Sequence, residues 1–444
     1  MLYIYIKNSV LYEKNICSMK KTLIFFMVLV IGVETKAKSK PLVTSIIIEG
    51  NKVTKDYIIK REIQHPLDSP LDSALIREDR DRIDNLGIFS TVKWSKESKE
   101  DGSIQLTFTV AEIWRIWPGL SPYYSEEQGW SIIGLINLLN FRGKNQSLFA
   151  GMSIGAEEGY MFFFQDPWIA GDHISFSFGI MNESSDHTFL PYEERANGIM
   201  IGFGKWFDYK WQLDSFMGLM HSQYTNQVEK IKFRQIVAET SIIYNTKDLY
   251  RDPSKGLKIS QKLKTDIDLT NSGHNLFVWT QSIGTYWSPI KGQRKLTLGI
   301  GAELKTSFGS LNELWLSYFG GNSTVRGWTP PSLLEYNDPK NHFRFGHQQI
   351  FTSFEARQTI IPNSSVSLFS FNSEVGLTGV VFVDMGYTSK KLSDLFKNSP
   401  LLGTGFGIRI PTPQGFVLRM DYGWGFYGGK EMGTAINLGA GQKF

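Results

Sequence analysis

The sequence predicts a β-rich fold, in which a 16-stranded antiparallel transmembrane β-barrel is preceded by one small βααββ domain. Three observations lead to this prediction. From residue 114 to residue 444, the chain repeatedly alternates bulky apolar and small polar side chains. It contains 42 Gly and 14% aromatic residues, which suits a β-protein of a cell envelope. A short apolar run near the N-terminus has the layout of an export signal.

The apolar run, residues 23–33, is too short to cross a bilayer as a helix. It follows two lysines after Met19 and precedes a small residue, Ala37, so we expect a signal peptide over residues 1–37, with Met19 as an alternative start. The single cysteine, Cys17, lies in this segment, and we therefore expect neither disulfides nor thiol catalysis in the mature chain. The remaining 42 basic and 41 acidic residues nearly cancel, which gives no indication of nucleic-acid binding.

Residues 42–112 predict a separate domain with the order β-α-α-β-β. Asp72 is placed to cap a helix that runs through Leu86, and Gly87 follows where a left-handed conformation is favourable. The remaining elements are expected over residues 43–48 (strand), 57–64 (helix), 91–96 (strand) and 103–111 (strand). The apolar stripes of these elements are sufficient to predict a core of their own.

Beyond this domain the hydrophobic period is two, as residues 295–304 illustrate: Leu, Ile and Ala alternate with Lys, Thr, Gly and Glu. A soluble β-sandwich also alternates, but here the polar face is unusually rich in Gly and Ser, whereas the apolar face is bulky. Small polar residues suit a lumen, and bulky apolar residues suit lipid. Tryptophans near segment ends suit an interfacial girdle, namely Trp168, Trp206, Trp211 and Trp287.

The barrel is expected over residues 114–444, and the candidate strands number sixteen, an even number that lets a barrel close with both ends at one seam. We use "seam" for the junction between the first and last barrel strands. The strands are expected to begin near residues 114, 129, 147, 160, 173, 196, 212, 234, 256, 275, 294, 348, 378, 403, 415 and 434.

One polar loop, about residues 308–347, is unusually long for a connection between strands. Loops of this length are commonly either functional or disordered. It carries Val325-Arg326-Gly327-Trp328 after a pair of glycines. An arginine stays charged and binds a carboxylate through two parallel hydrogen bonds, so it is well suited to dock such a loop.

Several motifs occur in one order along the chain: residues 140–144 (NFRGK), 165–168 (QDPW), 244–248 (YNTKD), 325–328 (VRGW), 382–386 (FVDMG) and 441–444 (GQKF). Together with residues 42–112, they make the chain resemble the bacterial outer-membrane assembly family that includes BamA and TamA, also known as the surface-antigen or POTRA-barrel superfamily. The likeness covers essentially the whole mature sequence. It implies a short form with one POTRA domain at residues 42–112.

The resemblance implies that the long loop folds back into the barrel, where its arginine meets an acidic group of the inner wall. Asp384 is the first expected partner of Arg326 and Glu355 the second. Phe382 and Gly386 share the strand face of Asp384. For three further charged residues of the last strands the alternative of a solvated lumen face stays open: Arg409, Arg419 and Asp421.

The resemblance also implies a function without covalent chemistry, cofactor or metal. It implies an outer-membrane protein whose POTRA domain lies in the periplasm and accepts an unfolded outer-membrane or secreted polypeptide. This polypeptide would be inserted or translocated at the barrel seam. The lipid bilayer is then a second partner, and accessory periplasmic or lipoprotein subunits are left open. Gly439, Gly441 and Phe444 are the expected seam and C-terminal signal residues, and Pro118 removes a donor from the first strand.

Three alternatives remain. A two-partner-type secretion pore usually has an N-terminal plug helix and two POTRA units, and the five residues between Ala37 and the first expected strand leave no room for them. A passive porin explains the barrel but not the POTRA domain. A lipolytic enzyme is suggested by residues 151–155 (GMSIG), but a nucleophile elbow needs a strand-turn-helix setting, and Ser153 is expected in mid-strand.

Overall fold

A computed structural model describes residues 41–125, 128–270, 273–368, 371–411 and 417–444 of the chain. The expected signal peptide, with Met19 and Cys17, lies outside the described residues. In the described part there are twenty-two strands and three α-helices. None of the helices in these ranges has the length and apolar composition needed to cross a membrane.

The N-terminal domain consists of β1 (Leu42–Glu49), α1 (Asp56–Lys60), β2 (Ser69–Pro70), α2 (Ser73–Asn85), β3 (Phe89–Ser98) and β4 (Ile104–Glu112). Its sheet has the order β2-β1-β4-β3, with β1 parallel to β4 and β3 antiparallel to it. The alternating residues of the strands and the apolar stripe of α2 meet in one core, which includes Val43, Ile59, Ile76, Ile83, Leu106 and Phe108.

Local hydrogen bonds explain the helix limits of this domain. The Asp72 carboxylate accepts from the backbone N–H groups of Ala74 and Leu75, as expected of an N-cap. The first helix ends at Lys60, earlier than predicted, because the chain turns so that the N–H groups of Gln64 and His65 reach the buried carboxylate of Asp79.

The second sheet contains sixteen strands of the described chain, and each strand pairs antiparallel with its neighbours. Its order follows the chain, so that the first and the last of these strands stand at its two ends. The strands are β5 (Ile116–Ser125), β6 (Gly129–Phe141), β7 (Gln146–Gly155), β8 (Glu157–Ala170), β9 (Ile174–Asp186), β10 (Glu193–Phe207), β11 (Trp211–Thr225), β12 (Lys230–Asn245), β13 (Gly256–Asp268), β14 (Leu276–Ile290), β15 (Leu296–Gly309), β18 (Gln348–Leu368), β19 (Phe371–Ser389), β20 (Leu401–Pro411), β21 (Val417–Tyr427) and β22 (Lys430–Ala440).

Burial follows the alternation along these strands. In β15, Ile300 is 54% exposed on the outer face, whereas Thr297 is 1% and Ser307 2% exposed on the inner face. Outward residues elsewhere are also bulky and apolar, including Met152, Ile154, Phe203, Met217 and Ile436. A face of this kind is stable against lipid and costly in water. The predicted fold class, a sixteen-stranded transmembrane β-barrel with one POTRA domain, is confirmed.

The C-terminal end of the barrel differs from the sequence expectation. The sequence predicts a last strand that begins near residue 434, with Phe444 among the expected seam residues, but β22 spans Lys430–Ala440. Gly441 has a φ of +80°, a left-handed conformation that ends the strand and that L-residues rarely adopt. The expectation that Phe444 belongs to the seam strand is therefore corrected, and its side chain lies inside the barrel.

Residues 310–347 connect β15 to β18 and are called the lid loop here. The loop contains β16 (Ser317–Tyr318), β17 (Phe345–Gly346) and α3 (Leu333–Asn337), which begins with a capping box between Ser332 and Glu335. Its apolar side chains form two clusters with the barrel. One joins Phe319, Val325, Trp328 and Phe343 to Leu401, and the other joins Leu316 and Phe345 to Phe189 and Leu190 of the β9–β10 connection.

Candidate functional site

The tip of the lid loop places Arg326 against the inner wall of the barrel, and its side chain is 0% exposed. Its Nε and Nη2 atoms donate to the two carboxylate oxygens of Asp384, each at 2.8 Å. Its backbone N–H donates to the same carboxylate at 3.0 Å. The guanidinium carbon lies 3.7 Å from the ring centroid of Phe382. The Asp384 carboxylate therefore binds the edge of the planar guanidinium, and the Phe382 ring packs against its face.

Two further carboxylates complete the shell around Arg326. Its Nη1 donates to Glu355 at 2.6 Å and to Asp421 at 3.1 Å. Ser353 supports Asp384 by donating to it at 2.6 Å, because the register of β18 and β19 places these two residues opposite each other. The arginine thus connects the lid loop to three strands at once.

The carboxylates also bind arginines of the wall, so the site is a buried ion network. Arg357 donates to Glu355 at 2.7 Å, and Arg409 donates to Asp421 at 2.6 Å and to Glu355 at 3.1 Å. Isolated charges at this depth are costly, but paired and hydrogen-bonded charges are tolerated. Removal of Arg326 leaves the buried carboxylate of Asp384 without its arginine partner, and breaking a buried pair in this way is strongly destabilising.

Glycines of the wall let the loop backbone approach closely. A side-chain Cβ on Gly403 would lie 1.9 Å from the carbonyl oxygen of Arg326, and one on Gly386 would lie 2.9 Å from a methyl carbon of Val325. In the loop, Gly327 has a φ of +85°, and its Cβ position lies 2.6 Å from the backbone of Trp424. The small-residue face of these strands is therefore a docking surface for the loop.

Other contacts hold the loop on either side of Arg326. The backbone N–H of Gly327 donates to Asn437 of β22 at 3.0 Å, and the indole N–H of Trp328 donates to the Leu402 carbonyl at 2.9 Å. Arg344 is buried within the loop and donates to the Phe319 carbonyl at 3.0 and 3.1 Å. The loop thus reaches the last strand of the barrel directly.

The opposite end of the barrel contacts the POTRA domain. Asn85, the last residue of α2, donates to the Asp248 carbonyl at 3.0 Å and accepts from the Tyr250 N–H at 2.9 Å. The Arg61 guanidinium lies 4.2 Å from the ring of Trp168, and Tyr209 donates to the Arg61 carbonyl at 3.1 Å. These groups surround an open cavity of about 690 Å³.

Two carboxyl groups of the POTRA domain face this cavity. Burial raises the pKa of Glu62 to about 7, although Arg61 and Arg82 oppose the shift. Burial also raises the pKa of Asp81 to about 6, with Arg80 opposing and Asp248 of the barrel turn adding to the shift. These two carboxyl groups at the interface between the domain and the barrel are therefore protonated at a higher pH than free carboxyl groups are.

The structure brings together most of the residues singled out in the sequence. Val325, Arg326, Gly327 and Trp328 meet the wall at Asp384, Glu355, Phe382 and Gly386. Gly439 adjoins the guanidinium of Arg419, whereas Gly441 and Phe444 lead away from the seam. Sequence reasoning did not select Ser353, Asn437 or Arg344, and Asp421 was left open. For Ser353, Asp421 and Asn437 the available signal was their position on the small-residue face of the barrel strands, whereas Arg344 lies within the lid loop and had no such signal.

The candidate for catalysis, Ser153, lies in β7 and pairs in register with Ile133 and Gly159 on the neighbouring strands. This is a regular strand rather than the turn that a nucleophile elbow requires. Within the described residues there is no group of three or more His, Cys, Asp or Glu side chains placed to hold a metal ion.

The fold and the docked loop define a POTRA-barrel protein, and comparison with family models agrees. The model described as "Omp85 superfamily domain" matches residues 140–444, and a POTRA model described as "Surface antigen variable number repeat" matches residues 41–112. The chain belongs to the Omp85 superfamily. Members of this superfamily are outer-membrane proteins with periplasmic POTRA domains. A search of curated proteins finds no significant match.

Solved structures share the fold. BamA from Haemophilus ducreyi lacking POTRA domains 1-3 has a TM-score of 0.55 and 17% identity, over 90% of this chain and 84% of that chain. CdiB from Acinetobacter baumannii has a TM-score of 0.53 and 13% identity, over 90% and 74%. CdiB from Escherichia coli has a TM-score of 0.50 and 11% identity, over 92% of each chain. These likenesses establish the architecture.

Proposed function

We propose that this protein is an outer-membrane assembly factor that accepts unfolded polypeptides through its POTRA domain and inserts them into the bilayer at the seam between β5 and β22. The observation that carries the proposal is the strand order, in which β5 and β22 are the two ends of the sixteen-stranded sheet. Unpaired backbone N–H and C=O groups at a strand edge inside the bilayer are costly in free energy, because no water is present to bind them. Pairing with an incoming strand removes that cost.

The composition of β5 supports a seam that opens. Pro118 and Pro122 both lie in β5, and neither has a backbone N–H to donate across the seam. On the other side, β22 contains Gly433 and Gly439, which supply no side-chain packing. A junction with few donors and few packing contacts is easier to separate than the other strand pairs of the barrel.

The POTRA domain supports the acceptance of a polypeptide. β3 is a ten-residue strand at one edge of its sheet, and its last four residues, 95–98, are exposed. An extended segment of a client can add to such an edge through backbone hydrogen bonds, which do not depend on the client's sequence. We infer that the domain lies in the periplasm and presents this edge to clients beneath the barrel.

Secretion through the lumen is the second candidate, since the superfamily includes both transporters and assembly factors. In the described state the lid loop occupies the lumen and is bound to its wall by the Arg326 network. Transport through the lumen requires that this loop leave the wall, whereas insertion at the seam requires only that β5 and β22 separate. The two candidates therefore differ in which element must move.

Two reversible crosslinks test this difference, since the single native cysteine lies in the expected signal peptide. A bismaleimide between Leu120→Cys and Ile436→Cys, both exposed on the outer face of the terminal strands, closes the seam. A disulfide between Val325→Cys and Gly386→Cys holds the lid loop on the wall. The control is a bismaleimide between Ile199→Cys and Leu219→Cys, which are paired in the continuous sheet.

Assembly of outer-membrane proteins in proteoliposomes is the measurement. We expect the closed seam to abolish assembly while the control crosslink and the held lid loop leave it within about twofold of the uncrosslinked protein. Full assembly with a closed seam contradicts the proposal. Loss of polypeptide transport with the held lid loop, together with normal function of the closed seam, supports secretion instead.

A further inference from the structure

The outer face of β10, β11 and β12 changes from apolar to polar at one level. The register aligns three apolar residues across these strands, namely Ile199, Leu219 and Ile236. The next outward row, two residues further along each strand, is polar and consists of Asn197, His221 and Arg234. Because outward residues recur with a period of two, the apolar surface ends here within a single step.

This change lies at the boundary of the bilayer, at the end of the barrel away from the POTRA domain. The opposite end of β11 and β12 is marked by the ring contact of Trp211 and Tyr244, close to Tyr209, which donates to the POTRA domain. Arg234 precedes Tyr244 by ten residues in β12. At about 3.3 Å per residue and a tilt of about 40°, such a segment spans about 25 Å along the membrane normal, the height of the apolar band of a transmembrane barrel. Arg234 therefore lies at the level of the lipid headgroups.

Lys232 and Arg234 are two exposed cations on the outer face of β12. Phe233 between them is 2% exposed and points into the barrel, which gives both cations the opposite direction. Within the described ranges neither cation forms an ion pair, whereas Arg195 on the same face of β10 is paired with Glu193 at 2.6 Å. The charges of Lys232 and Arg234 are therefore available to a ligand.

Two further N–H donors lie beside these cations. His221 is directly opposite Arg234, and Asn197 is directly opposite His221 on its other side. Lys232 is a diagonal neighbour of His221, since it pairs with Gln223. Direct and diagonal neighbours on one sheet face have Cβ atoms about 5 Å and about 7 Å apart, which long side chains can bridge. The four side chains can therefore donate to one ligand.

The chemistry of this row suits a phosphate monoester, which carries a charge of about −1.5 to −2 near pH 7 and three acceptor oxygens. Asn197 and His221 line a groove of about 760 Å³, and the two carboxylates of this groove, Glu158 and Glu183, lie on β8 and β9, on the side away from the cations of β12. Directly beneath the polar row, Leu219 is 57% exposed in the apolar row. A lipid has its phosphate and its acyl chains in this order, whereas a soluble phosphate leaves the apolar row unused.

We propose that the outer face of β10 to β12 binds a lipid whose headgroup carries a phosphate monoester. Lys232 and Arg234 bind the phosphate, His221 and Asn197 donate to it, and the apolar row beneath them packs against the acyl chains. β12 is the eighth of the sixteen barrel strands, so the bound lipid holds the barrel half-way round the sheet from the seam. Its assignment to the outer leaflet rests on the periplasmic position proposed for the POTRA domain, whereas the site itself does not.

Native mass spectrometry of the mature chain in detergent measures lipid binding. The probe is dioleoylphosphatidic acid, and it is compared with dioleoylphosphatidylcholine, which has the same acyl chains and no net charge. A cation at a membrane surface contributes about fivefold to the binding of an anionic lipid. We therefore expect phosphatidic acid to bind at least tenfold more tightly than phosphatidylcholine. Equal binding of the two lipids overturns the recognition of a phosphate monoester.

The double variant Lys232→Gln and Arg234→Gln tests the two cations. It should bind phosphatidic acid at least tenfold more weakly than the parent protein and phosphatidylcholine equally well. The matched control, Lys390→Gln and Lys391→Gln, removes the same charge from exposed residues of the β19–β20 connection and should bind as the parent does. Both double variants change exposed side chains, and heat-modifiable mobility verifies that they are folded. An equal loss in both, or a loss in neither, overturns the site.

Photo-crosslinking locates the lipid and separates it from free phosphate. The probe is a phosphatidic acid with a diazirine in its acyl chain, and crosslinked peptides are identified by mass spectrometry. We expect crosslinks to β10, β11 and β12, reduced at least fivefold by Lys232→Gln with Arg234→Gln. Crosslinks confined to other strands overturn the site. Inorganic phosphate and glycerol 3-phosphate, each in tenfold excess, should leave the yield unchanged, and displacement by either overturns the lipid in favour of a soluble phosphate.

Discussion

Arg326 and Asp384 form a two-point ion pair inside the barrel, with two N–H···O distances of 2.8 Å and a third hydrogen bond from the arginine backbone. The pair joins residues that lie on different elements, the tip of the lid loop and strand β19. Both side chains are fully buried. If the loop leaves the wall, the Asp384 carboxylate therefore loses its cation, and the unpaired charge is costly. The lid loop is thereby held in one position.

Replacement of Arg326 by Ala is expected to undock the lid loop. The change leaves Asp384, Glu355 and Asp421 without their shared cation, and breaking a buried pair costs about 3–5 kcal/mol. Protease sensitivity within residues 310–347 should rise while the heat-modifiable mobility of the barrel is kept, and assembly activity should fall. Arg326→Lys should undock the loop as well, because an ammonium group cannot make the two-point contact. A loop as resistant as in the parent protein contradicts the assigned role.

Replacement of Gly403 by Ala tests docking without any change of charge. The new Cβ would lie 1.9 Å from the Arg326 carbonyl oxygen, so the loop backbone has to move. Overpacking of this kind typically costs about 1–3 kcal/mol. Limited proteolysis should show a more accessible lid loop than in the parent. Gly134→Ala, where the nearest atom is a flexible methionine carbon 3.7 Å away, should show no difference.

Replacement of Asn85 by Ala is expected to loosen the POTRA domain from the barrel. The two hydrogen bonds between this side chain and the β12–β13 connection are lost, at about 1–2 kcal/mol in total. Spin labels on Glu97→Cys and Lys210→Cys should report a broader distance distribution. Arg77→Ala, which removes a guanidinium that bonds to the carbonyl of Ser73 in its own helix, serves as control. An unchanged distribution in both variants rules out a role for Asn85 in docking.

Docking of the POTRA domain should weaken as the pH rises from 5 to 8. The pKa of Glu62 is raised from 4.5 to about 7 and that of Asp81 from 3.8 to about 6. A raised pKa means that these carboxyl groups bind protons more readily in the folded protein than in water. If docking supplies this burial, the stabilisation that the protonated groups give to the docked state is complete below about pH 4 and is lost as the pH passes 6 and 7. A carboxyl group whose pKa rises by about 1 on docking changes the docking equilibrium by about tenfold between its protonated and ionised forms.

The same spin labels measure this dependence. In the double variant Glu62→Gln and Asp81→Asn, neither site titrates, and the distance distribution should be nearly constant over this pH range. A parent protein whose distribution is independent of pH would show that these carboxyl groups are not buried by docking.

Local patterns in the sequence were sufficient for much of the fold. The period of two predicted sixteen strands, because a strand with lipid on one side and a lumen on the other must alternate residue by residue. The resemblance carried by residues 325–328 and 382–386 implied a docked loop, and the glycines around Arg326 agree with this implication. These properties belong to short segments, and short segments can be read without the rest of the chain.

Contacts across the lumen could not be predicted in the same way. Asp421 reaches Arg326, and Phe444 reaches Tyr286, only because the sheet curves and brings strands far apart in sequence to face each other. The resemblance implied that Phe444 belongs to the seam strand, and the left-handed turn at Gly441 instead ends that strand. The sequence by itself determined the strands, their two faces and the loop motif, because alternation and charge are local. The tertiary structure decided which groups pair inside the barrel, because pairing depends on the curvature of the whole sheet.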